Sequence, residues 1–169
     1  MQLMPLPNRV LTCGRLSLDL SIPRVMGILN VTPDSFSDGG LHNTKDAAVA
    51  RALQMITEGA TVIDVGGEST RPGAAIVDVG EEIHRVIPVV EALAQHDVII
   101  SIDTSAPEVI RAAVAAGAHI WNDVRALTRP QALQTAAELN IPIIIMHMRG
   151  EPTTMNQLDD YQDLYTDVI

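Results

Sequence analysis

The stretch Val25-Met26-Gly27-Ile28-Leu29-Asn30-Val31-Thr32-Pro33-Asp34-Ser35-Phe36-Ser37-Asp38-Gly39-Gly40 decides the fold. Val25 to Leu29 is an apolar run of the kind that forms a strand buried on both faces. At Asn30 the chain turns polar, and Pro33, the Asp-Ser and Ser-Asp pairs and the double glycine forbid a continued strand. A helical pattern resumes near Thr44. The unit is therefore strand, long polar loop, helix, and in parallel α/β proteins ligand groups gather at the carboxyl ends of such strands. Phe36, the chain's one Phe, lies among Asp, Ser and Gly. It reads either as an anchor folded back under the loop or as an aromatic that closes over a flat substrate.

The same grammar repeats outward from this stretch. A helix over Thr44–Glu58, stopped by Gly59, leads to a strand at Thr61–Gly66 and the polar loop Gly67-Glu68-Ser69-Thr70-Arg71-Pro72-Gly73. Val79, Ile83, Val86, Val90 and Leu93 make an apolar stripe on a helix over Gly80–Gln95, with a kink expected at Pro88. A strand at Val98–Ile102 ends in Asp103-Thr104, and Pro107 opens a helix that Gly117 closes. Ala118–Trp121 is the next strand, ending in Asn122-Asp123, and a helix follows between Pro130 and Asn140. Ile141–Met146 is a fifth strand, ending in His147-Met148-Arg149-Gly150, and a last helix begins near Asp159. Ahead of all this, residues 1–24 read as a lead-in and a small β-ribbon over Leu11–Ile22, turning near Cys13-Gly14-Arg15 and plugging one end of the structure.

Five β-then-α units in a row imply either an open doubly wound sheet or part of a (β/α) barrel. A complete (β/α)8 barrel takes about 250 residues, against 169 here, and the sequence stops within a helical pattern at Asp167-Val168-Ile169. The composition suits a buried parallel sheet, with 47% apolar residues and only 2% aromatic ones. A net charge of −10 argues against nucleic acid and against an anionic membrane as partners. A lone Cys13 excludes a disulfide framework. With no signal peptide and no apolar run of membrane length, the expectation is a cytoplasmic protein.

The strand ends collect Asn30, Thr70, Arg71, Asp103, Asn122 and His147, which a barrel would converge on one mouth. Asn and Asp together suit the edge of a nitrogen heterocycle, which mixes donors and acceptors. Arg71 suits phosphate, because its planar fork offers two donors at once. Asn30, with Asp34 and Asp38 nearby, suits Mg²⁺, an ion that takes few protein ligands and prefers phosphate and water. Plainer readings stand beside these. Asp103 and Asn122 also suit turn caps, Arg71 a surface ion pair and His147 a supporting role, while Asp64 and Asp123 read as structural. Met146 and Met148 sit where a thioether would lie against a ring.

At these motifs the sequence resembles the dihydropteroate synthases. Residues 26–40 and 67–73 look like the family's first two signatures, and Ser101-Ile102-Asp103-Thr104, Trp121-Asn122-Asp123-Val124 and residues 146–152 look like later ones. The resemblance covers the chain from about residue 10 onward. It implies a (β/α)8 TIM barrel, here incomplete with about five β/α units, and a single pterin-binding domain over 1–169. It implies a transferase of folate biosynthesis that joins 6-hydroxymethyl-7,8-dihydropterin diphosphate to p-aminobenzoate, giving 7,8-dihydropteroate and diphosphate. Carried across by position, it puts Asn30 on a Mg²⁺–diphosphate, Thr70 and Arg71 on substrate and diphosphate, Asp103 and Asn122 on the pterin, and Phe36 in a mobile loop that helps shape the p-aminobenzoate pocket; Met146, by its own place near the mouth, is the further substrate-binding candidate. Arg71 and Asp103 are the residues it marks as catalytic. It implies a homodimer for full-length members. It also implies three further β/α units carrying another Asp, a Ser-Arg-Lys segment and an Arg-x-His segment. Two other readings are a barrel fragment that binds or assembles without catalysis, and a pterin-dependent methyltransferase barrel. The first two signature loops favour the synthase.

Overall fold

The computed structural model describes residues 9–32, 40–68, 77–150, 154–158 and 160–168. The chain opens with an antiparallel ribbon, β1 (Val10–Cys13) and β2 (Leu16–Asp19), joined at Gly14-Arg15. Five parallel strands follow: β3 (Val25–Asn30), β4 (Ala60–Gly66), β5 (Ile99–Asp103), β6 (Ile120–Asp123) and β7 (Ile143–Ile145). They lie side by side in chain order, β3-β4-β5-β6-β7. The crossovers carry α1 (Gly40–Thr57), α2 (Val79–Leu93), α3 (Pro107–Ala116) and α4 (Ala132–Leu139), and a short α5 (Leu164–Val168) comes last. The strand order never reverses, which is barrel order and not that of a doubly wound sheet.

Alternate residues on each strand divide the labour. Ile63, Val65, Ile100, Ile102 and Trp121 point toward the helices and join Val86, Val90, Leu93, Val109 and Ile110 in the main core. Val62, Ile99 and Ile120, on the opposite face near the strands' amino ends, pack with Cys13 and Leu18 of the ribbon. The ribbon thus seals the base of the sheet, as its alternating sequence suggests. Arg15 Nη1 reaches Asp97 at 2.8 Å to hold it there. The Ile100 N–H donates to His119 Nδ1 at 3.1 Å, and burial pushes the His119 pKa down, so the ring stays a neutral acceptor.

Local signals explain most helix limits. Asp78 caps α2 by accepting from the Gly80 N–H. The helix runs through Pro88 to Leu93. Pro107 sits in the first turn of α3, and Gly117 ends it in the left-handed region at φ 115°. Asn140 ends α4 in the same way.

Several limits differ from the sequence reading. Helix α1 begins at Gly40 and not at Thr44, and α4 begins at Ala132, after a left-handed Gln131, and not at Pro130. Strand β6 runs two residues past Trp121, so Asn122 and Asp123 belong to the strand itself. Strand β7 keeps only Ile143–Ile145, and α5 starts at Leu164 and not near Asp159. The larger correction concerns β3. Its apolar run is an edge strand here, with Val25 62% and Ile28 64% exposed. The other edge, at β7, leaves Ile145 and Met146 exposed as well. Period and composition report apolar character, but the number of neighbours a strand has is set by distant parts of the chain.

Trp121 is the largest fully buried side chain, and its indole N–H donates to the Thr104 carbonyl at 2.7 Å. Trp121→Ala is expected to lower unfolding free energy by about 3–5 kcal/mol. Trp121→Phe should cost less, about 1–3 kcal/mol, because the ring volume is largely kept and one buried carbonyl loses its donor. Urea denaturation followed by far-UV circular dichroism measures both, and a loss below 1 kcal/mol for the alanine variant would contradict this placement.

Candidate active site

Parallel register carries the strand-end residues into one row. Asn30 pairs with Gly66, Gly66 with Asp103, and Asp103 with Asn122. Asn122 in turn pairs with Ile144, two residues ahead of Met146. One layer lower, Ile28, Asp64, Ser101 and Ile120 pair in the same sequence. The inner face therefore changes along its length, from the apolar Val62 and Ile99 at the base, through Asp64 and Ser101, to Asp103 and Asn122 at the carboxyl ends.

Neighbouring residues take over the capping that Asp103 and Asn122 would otherwise perform. Thr104 Oγ1 accepts from the Ala106 N–H at 3.1 Å. The Asp123 carboxylate accepts from the Ser105 hydroxyl at 2.5 Å and from the N–H groups of Arg125 and Leu127 at 3.0 and 2.7 Å. These bonds hold the turn after β6, where Ala126 and Leu127 both have positive φ, 50° and 61°. Arg125 Nη1 also donates to Ser105 Oγ at 3.1 Å. The side chains of Asp103 and Asn122 thereby take no part in capping these turns.

Gly66 occupies the middle of the upper row. A Cβ built on it would lie 3.6 Å from Asp103 Oδ2 and 3.7 Å from Asn30 Oδ1. The missing side chain leaves a gap flanked by two oxygen acceptors. Gly67 beside it lies against α2, where a Cβ would sit 2.8 Å from Val86 Cγ2 and 2.9 Å from Glu82 Cγ. Arg85 Nη1 donates to the Gly67 carbonyl at 3.0 Å, tying the start of the second loop to that helix.

Carboxyl groups crowd this end of the sheet. Burial, followed by the charges of Asp64, Glu82, Asp123 and Glu68, pushes the Asp103 pKa up to about 7. Burial also raises Asp64, opposed by Ser101 and the Asn122 amide. Burial raises Glu82, which the Thr104 hydroxyl opposes and the Glu68 charge reinforces. Asp64, Ser101 and Glu82 were not singled out as site residues from sequence. For the strand residues the available signal was a polar side chain within an apolar run, Asp64 in one strand and Ser101 two residues before Asp103 in the next.

Other expected residues fall elsewhere. Met146 lines a cleft of about 170 Å³ with Val124, Arg125, Thr128, His147, Met148 and others, beside the row and not within it. His147 Nε2 lies 3.0 Å from the Tyr161 hydroxyl at the exposed surface. Phe36, Thr70 and Arg71 lie outside the described residues, as do Asp34 and Asp38. No helix among the described residues is long and apolar enough to cross a membrane.

The family model described as pterin binding enzyme matches residues 26–169. The chain belongs to this family. It is 62% identical over 153 residues to the dihydropteroate synthase of Escherichia coli K12, an alignment that covers 90% of this chain and 54% of that protein. The fold matches a Yersinia pestis dihydropteroate synthase solved with a sulfonamide drug, with a TM-score of 0.86 and 57% identity, over 94% of this chain and 58% of that one. It also matches the Xanthomonas albilineans dihydropteroate synthase solved with 4-aminobenzoic acid, with a TM-score of 0.84 and 52% identity, over 94% and 56% of the two chains. The chain thus spans a little over half the length of the relatives it matches, and its five-stranded sheet is part of a TIM barrel of their type.

The shifted Asp103 sets the sign of a pH effect. The unfolded group ionises near 3.8 and the folded one near 7, so the folded chain holds this proton more tightly. The stability it contributes is complete below about pH 4 and is lost as pH rises through 7. Urea unfolding across pH 4–8 should therefore show wild-type stability declining relative to Asp103→Asn. Parallel curves for the two proteins would contradict the crowded-carboxylate picture.

Proposed function

We propose that this chain carries the pterin and diphosphate side of a dihydropteroate synthase site. The reaction joins 6-hydroxymethyl-7,8-dihydropterin diphosphate to p-aminobenzoate, giving 7,8-dihydropteroate and diphosphate. The observation that supports this best is the acceptor-rich row of Asn30, Asp103 and Asn122 over the gap at Gly66. A pterin edge carries an amino group and a ring N–H side by side, and an acceptor row complements it. The Xanthomonas relative's bound 4-aminobenzoic acid supports the second substrate.

The chemistry demands little acid–base work. The electron-rich dihydropterin stabilises positive charge on its exocyclic methylene, so the C–O bond to diphosphate breaks early. The aryl amine then forms the C–N bond and gives up a proton. In this reading Asp103 and Asn122 hold the pterin flat, Arg71 meets the departing diphosphate charge, Thr70 orients it, and Phe36 and Met146 lie against the rings. Bound Mg²⁺ would supply further countercharge to the diphosphate. The donor set fits that ion, since Asn30 Oδ1 is a hard oxygen facing the gap at Gly66, with room for phosphate and water to complete the shell. The reading puts the reaction in the cytoplasm and the full-length protein in a homodimer.

A second reading is binding without turnover, and the open edges at β3 and β7 favour it for this chain alone. One assay separates the two. With Mg²⁺ and the pterin diphosphate, diphosphate release should depend on p-aminobenzoate and fall ~10²–10³-fold in Arg71→Ala. Pterin binding without any release would leave the binding-only reading.

Gly66→Ala tests the row itself. Its Cβ would meet only ordinary contacts, at 3.5 Å or more, so the melting temperature should hardly change. Affinity for the pterin diphosphate should fall roughly tenfold or more, because the methyl fills the gap. Unchanged affinity in isothermal titration would place the ligand elsewhere.

A further inference from the structure

Asp64 is an unexpected residue for its position. It interrupts the apolar run of β4 and is 4% exposed. Burying a carboxyl in such a place is costly unless a specific partner compensates. Its one hydrogen bond at full geometry is from Asn122 Nδ2 to Asp64 Oδ2, at 3.0 Å and buried. Asp64 Oδ1 and Asn122 Oδ1 are both buried with no hydrogen-bond partner. Asn122 itself is only 8% exposed.

An asparagine amide has two chemically opposite ends, one donating and one accepting. In the structure Asn122 Nδ2 donates to Asp64 Oδ2, so the Asp64 carboxyl sets which end of the amide turns toward it. The Nδ2 group faces inward and Oδ1 is left over. The backbone carbonyl of Asn122 is already occupied, accepting from the Thr104 N–H at 3.1 Å. Around the pair stand the Asp103 carboxyl, beside Asn122 in register, and the Ser101 hydroxyl, beside Asp64. The hydroxyl can turn toward the carboxyl. What remains for a ligand is a set of oxygen acceptors.

We propose that Asp64 is a positioning residue. It holds the Asn122 amide with its carbonyl toward the ligand, and so makes the floor of the site select a heterocycle edge that presents adjacent N–H donors over the same ring with a carbonyl at that place. The identity of the ligand as a pterin rests on the function proposed above, but the orientation of the amide does not. A 2-amino-4-oxo pyrimidine edge meets Asn122 Oδ1 with a donor. Its 2-oxo analogue meets it with a second acceptor, and the two oxygens repel.

Two measurements on the full 169-residue chain decide this. In the ligand-free ¹⁵N-labelled protein, the Asn122 side-chain NH₂ should exchange slowly with solvent as a single species. In Asp64→Asn, where either amide can donate to the other, it should exchange faster or split into two species. Fluorescence titration should show that 6-hydroxymethylpterin binds at least tenfold more tightly than 6-hydroxymethyl-lumazine, with that preference collapsing in Asp64→Asn. The double exchange D64N/N122D should restore it, because the amide at position 64 then donates to the carboxylate at position 122, whose second oxygen still accepts. Exchange and preference both unchanged in Asp64→Asn, or a double variant no better than the single one, would overturn the proposal. If the wild-type chain binds neither compound, the proposed function fails, and the exchange measurement alone decides the role of Asp64.

Discussion

Everything at the upper end of this molecule depends on the in-register pairing of parallel strands. Because β3 through β6 align Asn30, Gly66, Asp103 and Asn122 across four strands, a single row of side chains is created from residues far apart in the chain. A slip of one residue in any strand would turn its member of the row toward the helices and bring inward a residue that now faces them. The register is held by burial on the other face, where Val65, Ile102 and Trp121 can only sit among the helices. The hydrophobic core and the polar row are thus two faces of one constraint.

The row also needs its backbone to be otherwise satisfied. Thr104, Ser105 and Asp123 absorb the turn hydrogen bonds next to Asp103 and Asn122, and the Trp121 indole takes the Thr104 carbonyl. Asp103 and Asn122 are therefore each adjacent in sequence to a residue that does the structural work. That pairing explains why the motifs come as doublets, Asp103-Thr104 and Asn122-Asp123. In each, one side chain stands in the row at the strand ends and the next anchors the loop. The crowding of acids follows from the same geometry, since burial raises Asp64, Glu82 and Asp103 alike and the charges of the first two add to the shift of the third.

Much of this was legible in the sequence, for local reasons. Strand ends marked by a polar residue, a proline at the start of α3 and a glycine at its end are short-range signals, and Asn30, Asp103 and Asn122 emerge from them as site candidates. The ribbon over the base was legible from alternation at Leu16, Leu18 and Leu20. What was hidden depends on distant contacts. The exposure of Val25 and Ile28 turns on which strand lies beside β3, and the same letters would describe a buried strand equally well. Asp64 looked structural because nothing nearby in sequence names its partner, which is 58 residues away. Asp123 was read as structural, but its hold on the left-handed turn at Ala126 and Leu127 shows only in three dimensions.

The sealed base has a kinetic side. Cys13, the chain's one thiol, is fully buried between the ribbon and the sheet, and burial raises its pKa. A buried, protonated thiol is inert, because the thiolate is the nucleophile. Alkylation can therefore proceed only when the ribbon lifts away. The labelling rate of this single sulfur becomes a clock for that local opening, and it can be read without adding a probe or changing a residue. In that sense the plug beneath the barrel end records its own comings and goings.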